Sequence, residues 1–347
     1  MPLHMRTNLS AIPFVIMILI SFVAVSCTGG DGSSGTKNEQ EVLTIYSGRS
    51  EKLIGPIIEQ FSEVSGVKAE VKYGSTPEVA ATLLEEGAKS PADIFIAQDP
   101  GGLGAVDSLL APLPGDITDP VAARFKSADG KWVGLSGRAR VVVYNTDKLS
   151  EKGLPDDIWG FTDPEWKGRL GWAPTNASFQ TMVTAMIDLW GEEKTAEWLA
   201  GIQANDPKTY PNNSSIVLAA ESGEIDAGFV NHYYLYRLLA EKGENIPVRN
   251  YHPRAGGPGA IIMVAGAGIT ETSDNKEAAE KFIKFMLSPV AQQYFTGQTY
   301  EYPVIEGVVT NRLLVPLADI NAPDIDTKEL ADPEATVKLL REQNIIP

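Results

Sequence analysis

Between residues 42 and 97 short apolar runs alternate with amphipathic ones, and this alternation constrains the fold more than any other feature of the chain. Residues 42–46 have the make-up of a buried strand. Residues 51–64 put Leu53, Ile54, Ile57, Ile58 and Phe61 on one side of a helix. Residues 67–73 alternate with the period of two that a half-buried strand requires. Residues 77–86 fit a second helix and 93–97 a buried strand. Strand, helix, strand, helix, strand in that order predicts an α/β fold with a parallel sheet between helical layers. Ligands of such sheets bind beyond the carboxyl ends of the strands, and the turns at 47–50, 74–76 and 98–99 fall there.

A second α/β unit follows. Residues 141–144 read as a strand, Gly171-Trp172 closes another, and 178–189 and 193–203 read as helices. Residues 225–230 and 260–265 are strand-like and 275–287 helical. Ser288-Pro289 then caps and starts a helix that runs through Phe295. About 300 residues of such pattern exceed one ordinary core, so two domains are expected.

The chain opens on a different kind of segment. Residues 1–26 carry one Arg (Arg6) and no acid, and 12–25 are almost wholly apolar, which is the pattern of a signal peptide. The run Ala24-Val25-Ser26-Cys27 resembles a bacterial lipobox and marks Cys27, the only cysteine, for lipidation. The alternative is an ordinary signal peptide beside a chance cysteine. Residues 28–40 are Gly/Ser/Thr-rich and read as a flexible tether. With no further cysteine, disulfides, thiolate metal sites and cysteine catalysis are excluded from the body. The formal charge is −16, a field that disfavours nucleic acid and anionic membrane as partners and suits solubility outside the cell.

Tyr233 and Tyr234 stand side by side in Asn231-His232-Tyr233-Tyr234-Leu235-Tyr236. Two phenols in the first turn of a helix suit a hard, highly charged cation, because ferric ion prefers anionic oxygen and drives the phenol protons off. The helix dipole favours the developing charge, and Asn231 is placed to cap that helix. Adjacent side chains on a regular helix diverge by about 100°, so both reach one metal only if the turn is irregular or the metal sits near the axis. The other reading is that one or both rings pack on the buried face, as is expected of Tyr236. His232 and His252 lie too far apart in sequence for a compact metal motif. No Gly-x-Ser-x-Gly and no phosphate-cradling glycine-rich motif occurs, which argues against an enzyme.

Several stretches together resemble the periplasmic ferric-ion-binding proteins of ABC importers, a branch of the type 2 periplasmic binding proteins. They are Ile45-Tyr46-Ser47-Gly48-Arg49, Ser90-Pro91-Ala92-Asp93-Ile94-Phe95, residues 135–144, Trp166-Lys167-Gly168-Arg169-Leu170-Gly171-Trp172, residues 231–236 and residues 278–293, in the family's order. The resemblance implies two lobes, each a mostly parallel sheet flanked by helices, joined by two crossover strands at the hinge, with the ligand in the cleft. By position, lobe 1 holds residues 41–139 and 263–303, and lobe 2 holds 140–262 and 304–347.

The resemblance also implies that the tyrosine pair binds iron. In the best-known members a His and a Glu complete the shell, and their positions fall on Ser50 and Gln98; other members use a further Tyr, whose position here is Ser178. None of the three replacements is a good ferric ligand. The shell then calls for a synergistic anion, carbonate or phosphate, plus water. The family's anion contacts map onto residues 175–178, including Asn176 and Ala177, and onto Asn213 and Asn231. Arg140, with Arg138 beside it, can add charge-assisted bonds, and Arg49 can project into the cleft in place of the missing His. The plainer alternatives are that Asn176 and Asn231 only cap helices and that Arg138 pairs with a surface acid.

The expectation is therefore a lipid-anchored, extracytoplasmic, monomeric substrate-binding component of an ABC importer. It carries Fe(III) with carbonate or phosphate to a membrane permease and its ATPase, and touches the membrane only through its lipid. The alternative keeps the fold and binds a polyamine, thiamine or a phosphate ester without iron.

Overall fold

The computed structural model describes residues 42–325 and 327–347. The expected signal peptide, Cys27 and tether lie outside the described residues. The first unit follows the expected order: β1 (Val42–Ser47), α1 (Glu51–Ser65), β2 (Lys68–Tyr73), α2 (Thr76–Glu86) and β3 (Ile94–Ala97). The apolar stripe of α1 is buried as its spacing requires, and Gly66 ends the helix at φ 73°, its N–H bonded to Ser62 O. A capping box starts α2: Ser75 Oγ accepts from Glu78 N–H while the Glu78 carboxylate accepts from Ser75 N–H. Two short helices follow, α3 (Pro100–Ala105), capped by Asp99, and α4 (Gly115–Thr118).

The central strand β4 (Trp132–Asn145) is far longer than the 141–144 segment that its apolar run suggests. Its first half contains Gly134, Ser136, Gly137 and Arg138, which hide a strand from any hydrophobicity pattern, yet all fourteen residues are buried. After it come β5 (Leu170–Trp172), α5 (Ala177–Trp190), α6 (Glu192–Ala204), β6 (Lys208–Thr209), α7 (Asn213–Glu221), β7 (Ala227–Asn231), α8 (Tyr233–Lys242), β8 (Val248–Tyr251) and β9 (Ile262–Ile269). The chain ends with α9 (Lys276–Met286), α10 (Pro289–Gln298), α11 (Thr327–Leu330) and α12 (Glu334–Glu342). Ser288 caps α10 with Pro289 at its first position, as expected.

Strand order is β2-β1-β3-β9-β4-β7-β5-β6, with β8 paired to β4. The α/β architecture is as expected, and the sheet is mixed. Pairs β1/β2, β1/β3, β5/β6 and β5/β7 are parallel, but every pair that includes β4 or β9 is antiparallel. The reason is that β4 and β9 are the strands that pass from one half of the molecule to the other. Residues 132–139 of β4 pair with β9, and 140–145 pair with β7 and β8.

Apolar burial divides the same way. Leu43, Ile54, Phe61, Phe95, Val133 and Phe282 belong to one core. Val142, Trp166, Trp198, Phe229 and Leu340 belong to a second, and Ile216, Val230 and Leu235 to a third on the other face of the same strands. Each fully buried large side chain contributes about 1.5–3 kcal/mol. Between the cores lies a small cluster of Ala139, Ala260, Tyr302, Leu314 and Ile320. The C-terminal segment also spans both halves: α11 and α12 pack on α5, and α11 meets α3. That contact needs Gly104, because a Cβ there would lie 1.9 Å from Ala331 O.

Candidate functional site

The middle of the molecule is polar, and β4 organises it. Strand side chains alternate, so Ser136, Arg138 and Arg140 share one face. Arg140 pairs in the ladder with Asn231, the last residue of β7, and His232 forms the turn into α8. Asn231 is therefore not the helix cap that the sequence suggested. His232 holds that position without a side-chain cap bond, and the Asn231 Oδ1 instead accepts from Arg140 Nη1 at 3.0 Å.

His232 fastens the start of α8 to β4 and to the segment at Tyr300. Its Nδ1 accepts from Ala139 N–H at 3.1 Å, and its Nε2 donates to Tyr300 O at 2.7 Å. The ring stacks on Tyr302 at 4.8 Å. Burial pushes its pKa down to about 3, so the imidazole is neutral, and with both nitrogens engaged it is not available to a metal.

Tyr233 and Tyr234 occupy the first two positions of α8. Their rings stack at 4.2 Å with an interplanar angle of 27°, so side-chain torsions absorb the divergence of neighbouring helical residues. Tyr233 is fully buried, and its hydroxyl has no protein partner. Burial, and then the neighbouring Tyr234, push its pKa well above that of a free phenol. Such a phenol keeps its proton until a strong cation replaces it.

Three arginines surround this pair, all fully buried. Arg49 donates from Nη2 to both oxygens of Glu301, at 3.0 and 2.8 Å, and from Nη1 to Ser136 Oγ at 3.4 Å. Ser136 and Thr299 also donate to Glu301, at 3.1 and 2.9 Å. The field of both tyrosines acts on Arg49, which places it beside them, but it arrives as half of an ion pair. Arg138 does not pair with a surface acid. It donates from Nη2 to Val264 O at 3.1 Å, and its Nε and Nη1 have no protein partner. Arg140 donates from Nη1 to Asn213 Oδ1 at 3.3 Å and to Asn231, leaving Nε and Nη2 free. Burial lowers its pKa to about 9; the tyrosines raise it, and Arg138 lowers it further.

The start of α5 joins the same network. Asn176 caps the helix, its Oδ1 accepting from Ser178 N–H at 3.2 Å and Ser178 Oγ at 2.5 Å. Asn213 donates from Nδ2 to that same Oδ1 at 3.0 Å and to Ser178 Oγ at 3.3 Å. Ala177 is the first residue of α5. The structure thus links Asn176, Ser178, Asn213, Asn231 and Arg140 directly. Ser50 and the Gln98 side chain take no part: Ser50 is an exposed helix-capping position without a cap bond, and only the backbone N–H of Gln98 is engaged, with Thr76 Oγ1.

Sequence reasoning missed Glu301 and Asp99. Glu301 lies between Tyr300 and Tyr302, and an acid between two aromatics is its only signal. Asp99 is buried next to Gln98; its Oδ1 accepts from Gly102 N–H at 3.0 Å and its Oδ2 has no protein partner. Burial raises its pKa against the opposing pull of Arg138. A cavity of about 190 Å³ separates Asp99 and Gly102 from Ala177 and Gln180. Among the described residues, no group of three or more His, Cys, Asp and Glu is placed to hold a metal. A cation held here would rest on phenols, and an anion would meet unpartnered N–H groups.

Comparison with known proteins adds four findings. The family profile of the bacterial extracellular solute-binding proteins matches residues 56–321. The major ferric iron-binding protein of Neisseria meningitidis serogroup A is 35% identical over 305 residues, 86% of this chain and 92% of that protein. Among solved structures, iron-bound HitA from Pseudomonas aeruginosa superposes with a TM-score of 0.84 at 33% identity, over 87% of this chain and 99% of that one. A Trichodesmium protein (IdiA, FutA) in complex with iron and citrate ligands gives 0.76 at 26% identity, over 87% and 99%.

Proposed function

The chain belongs to the bacterial extracellular solute-binding proteins, in their ferric-ion-binding branch, and we propose that it captures ferric iron outside the cytoplasm for an ABC importer. The observation that carries this reading is the stacked Tyr233–Tyr234 pair, which opens α8 beside three buried arginines. Ferric ion is the cargo. Tyr233 and Tyr234 hold it as phenolates, and a synergistic anion sits against Arg140, Asn213, Asn231 and the capped start of α5 at Asn176 and Ala177. Arg138 and Arg49 set the field around both. Ser178 orients Asn176 and Asn213 and does not touch the metal. The two cores, linked by β4 and β9, act as lobes that close over metal and anion and reopen at the permease. No bond of the cargo's anion is made or broken.

No helix of the described residues is long and apolar enough to cross a membrane. We propose that the protein is secreted, lipidated at Cys27 and held near its permease and ATPase by the tether, working as a monomer.

The test is optical. Apo protein given ferric iron with bicarbonate or citrate should turn orange-red through a phenolate-to-iron charge-transfer band, and Tyr233→Phe with Tyr234→Phe should abolish it. A protein that stays colourless with every anion, and is stabilised against heat by a sugar phosphate or polyamine instead, overturns the reading.

A further inference from the structure

A second place in the molecule gathers polar atoms that the protein leaves unsatisfied. Away from the tyrosine pair, its arginines and Asn231, the described residues hold four buried side-chain atoms without a partner: Asp99 Oδ2, Trp166 Nε1, Asn250 Oδ1 and His252 Nδ1. Such atoms are costly, so two of them in one place call for an explanation. Asn250 and His252 line the same cavity, which lies between α8, the end of β8 and residues 300–315. Its volume is about 520 Å³, within the range of small-molecule sites. Tyr233 and Tyr234 do not line it.

The two polar groups are set as acceptors. Asn250 donates from Nδ2 to His232 O at 2.7 Å, which fixes its amide and leaves Oδ1 to accept. Burial holds the His252 pKa at about 4, so the ring is neutral at pH 7 and Nδ1 accepts in one of its tautomers. Alternate positions put both side chains on one side of the chain, with Cα atoms about 6.8 Å apart. The walls are aromatic and apolar. Tyr236 and Tyr300 stack at 5.7 Å with an interplanar angle of 26°, and the half-exposed Leu313 marks the mouth. Tyr300 has φ 58°, a left-handed conformation that is unfavourable for so bulky a residue, and its carbonyl is held there by His232 Nε2 at 2.7 Å. Strain of this kind gathers at ligand clamps, where it presents a side chain that relaxed backbone would turn away. Arg249, the one cation in the lining, is spent on the carbonyls of Glu244, Ile246 and Val248, so the cavity is not built for an anion.

We propose that this cavity is a second ligand site, separate from the tyrosine pair, and that it takes a small neutral aromatic molecule carrying two non-adjacent O–H or N–H donors. The ring extends the Tyr236–Tyr300 stack. One donor meets Asn250 Oδ1 and the other His252 Nδ1, whose spacing along the strand suits groups on different sides of a ring better than neighbours on one edge. Binding satisfies both buried acceptors and covers the apolar surface at Leu313.

The experiment titrates iron-free protein with three probes of similar size. Resorcinol has the ring and two hydroxyls too far apart to chelate one metal. Anisole keeps the ring without a donor, and cyclohexane-1,3-diol keeps the donors without the ring. Ligand-observed NMR and calorimetry read affinity. Resorcinol should saturate one site with a Kd at or below about 1 mM, and each of the others should bind at least about tenfold more weakly. Leu313→Trp, which fills the mouth, and Tyr300→Asn, which suits the left-handed backbone but removes a wall, should lose resorcinol while circular dichroism shows an unchanged fold. Tyr233→Phe with Tyr234→Phe should bind it as wild type does, which separates the cavity from the metal site. Resorcinol that does not saturate, that binds no better than anisole or the diol, that survives the wall substitutions, or that is lost with the tyrosine pair overturns the inference.

Discussion

Glu301→Gln tests the electrostatics of the buried Arg49–Glu301 pair most directly. Glu301 is fully buried and accepts from Arg49 twice, from Ser136 and from Thr299. The substitution keeps shape and length but removes the charge and turns an amide N–H₂ towards donors. Arg49, with 1% of its side chain exposed, is left as an uncompensated buried cation. Breaking one side of such a pair costs about 3–5 kcal/mol. Unfolding entropy of about 2.1 cal/mol/K per residue, over roughly 300 ordered residues, gives about 0.6 kcal/mol/K, so the melting temperature of the apo protein should fall by about 5–8 °C. Calorimetry at pH 7 measures it. The double variant Arg49→Met with Glu301→Gln should recover most of the loss, because a well-packed apolar replacement of the whole pair is close to neutral. A Glu301→Gln protein that melts within about 1 °C of wild type refutes the reasoning. A double variant that loses the sum of the two single losses refutes it equally.

Tyr233→Phe should weaken the iron band, leaving what Tyr234 supplies, yet raise apo stability by about 1 kcal/mol, since it deletes a buried hydroxyl without a protein partner; a urea midpoint below that of wild type contradicts this. His252 is held by burial at a pKa of about 4, below the 6.5 of an unfolded histidine. Its contribution is therefore complete above pH 6.5 and is lost as pH falls towards 4, at up to about 1.4 kcal/mol per pH unit, and His252→Gln should make the stability profile shallower in that window, with the part due to His232 remaining. Gly104→Val should push the segment at Ala331 off α3, lower the melting temperature by about 2–5 °C and expose a new proteolytic site near residues 325–335; unchanged digestion means the contact is dispensable.

The local elements of the fold were legible where hydrophobic periodicity and caps agree. The stripe of α1, the Ser288-Pro289 start of α10 and the alternation of β2 needed only nearest-neighbour chemistry. β4 was not legible, and its failure is instructive. A strand that crosses between two cores is buried on both faces, yet half of it faces a polar site, so its residues read as glycine, serine and arginine. Its antiparallel partners are set by the chain's return through β9, a long-range event that no local signal encodes. Single-residue boundaries failed for a similar reason: Asn231 looks like a cap because Asn favours caps, but its backbone is tied to Arg140 in the ladder and its side chain to the same guanidinium.

Within the candidate site the residue types were legible but their alliances were not. Arg140, Asn213, Asn231, Asn176 and Ser178 were drawn from separate stretches, and the structure joins them by direct hydrogen bonds. Arg49 was expected to project into the cleft in place of the missing His, and it comes paired with Glu301, 252 residues away in sequence. That pairing changes the chemistry of the site. A free Arg49 would repel a trivalent cation from one end of the site, whereas the neutralised pair lets Arg138 and Arg140 carry the positive field. Two phenols with three uncompensated arginines would make a poor cation site; with Arg49 masked by Glu301, the positive field beside the pair comes from Arg138 and Arg140, whose remaining N–H groups have no protein partner.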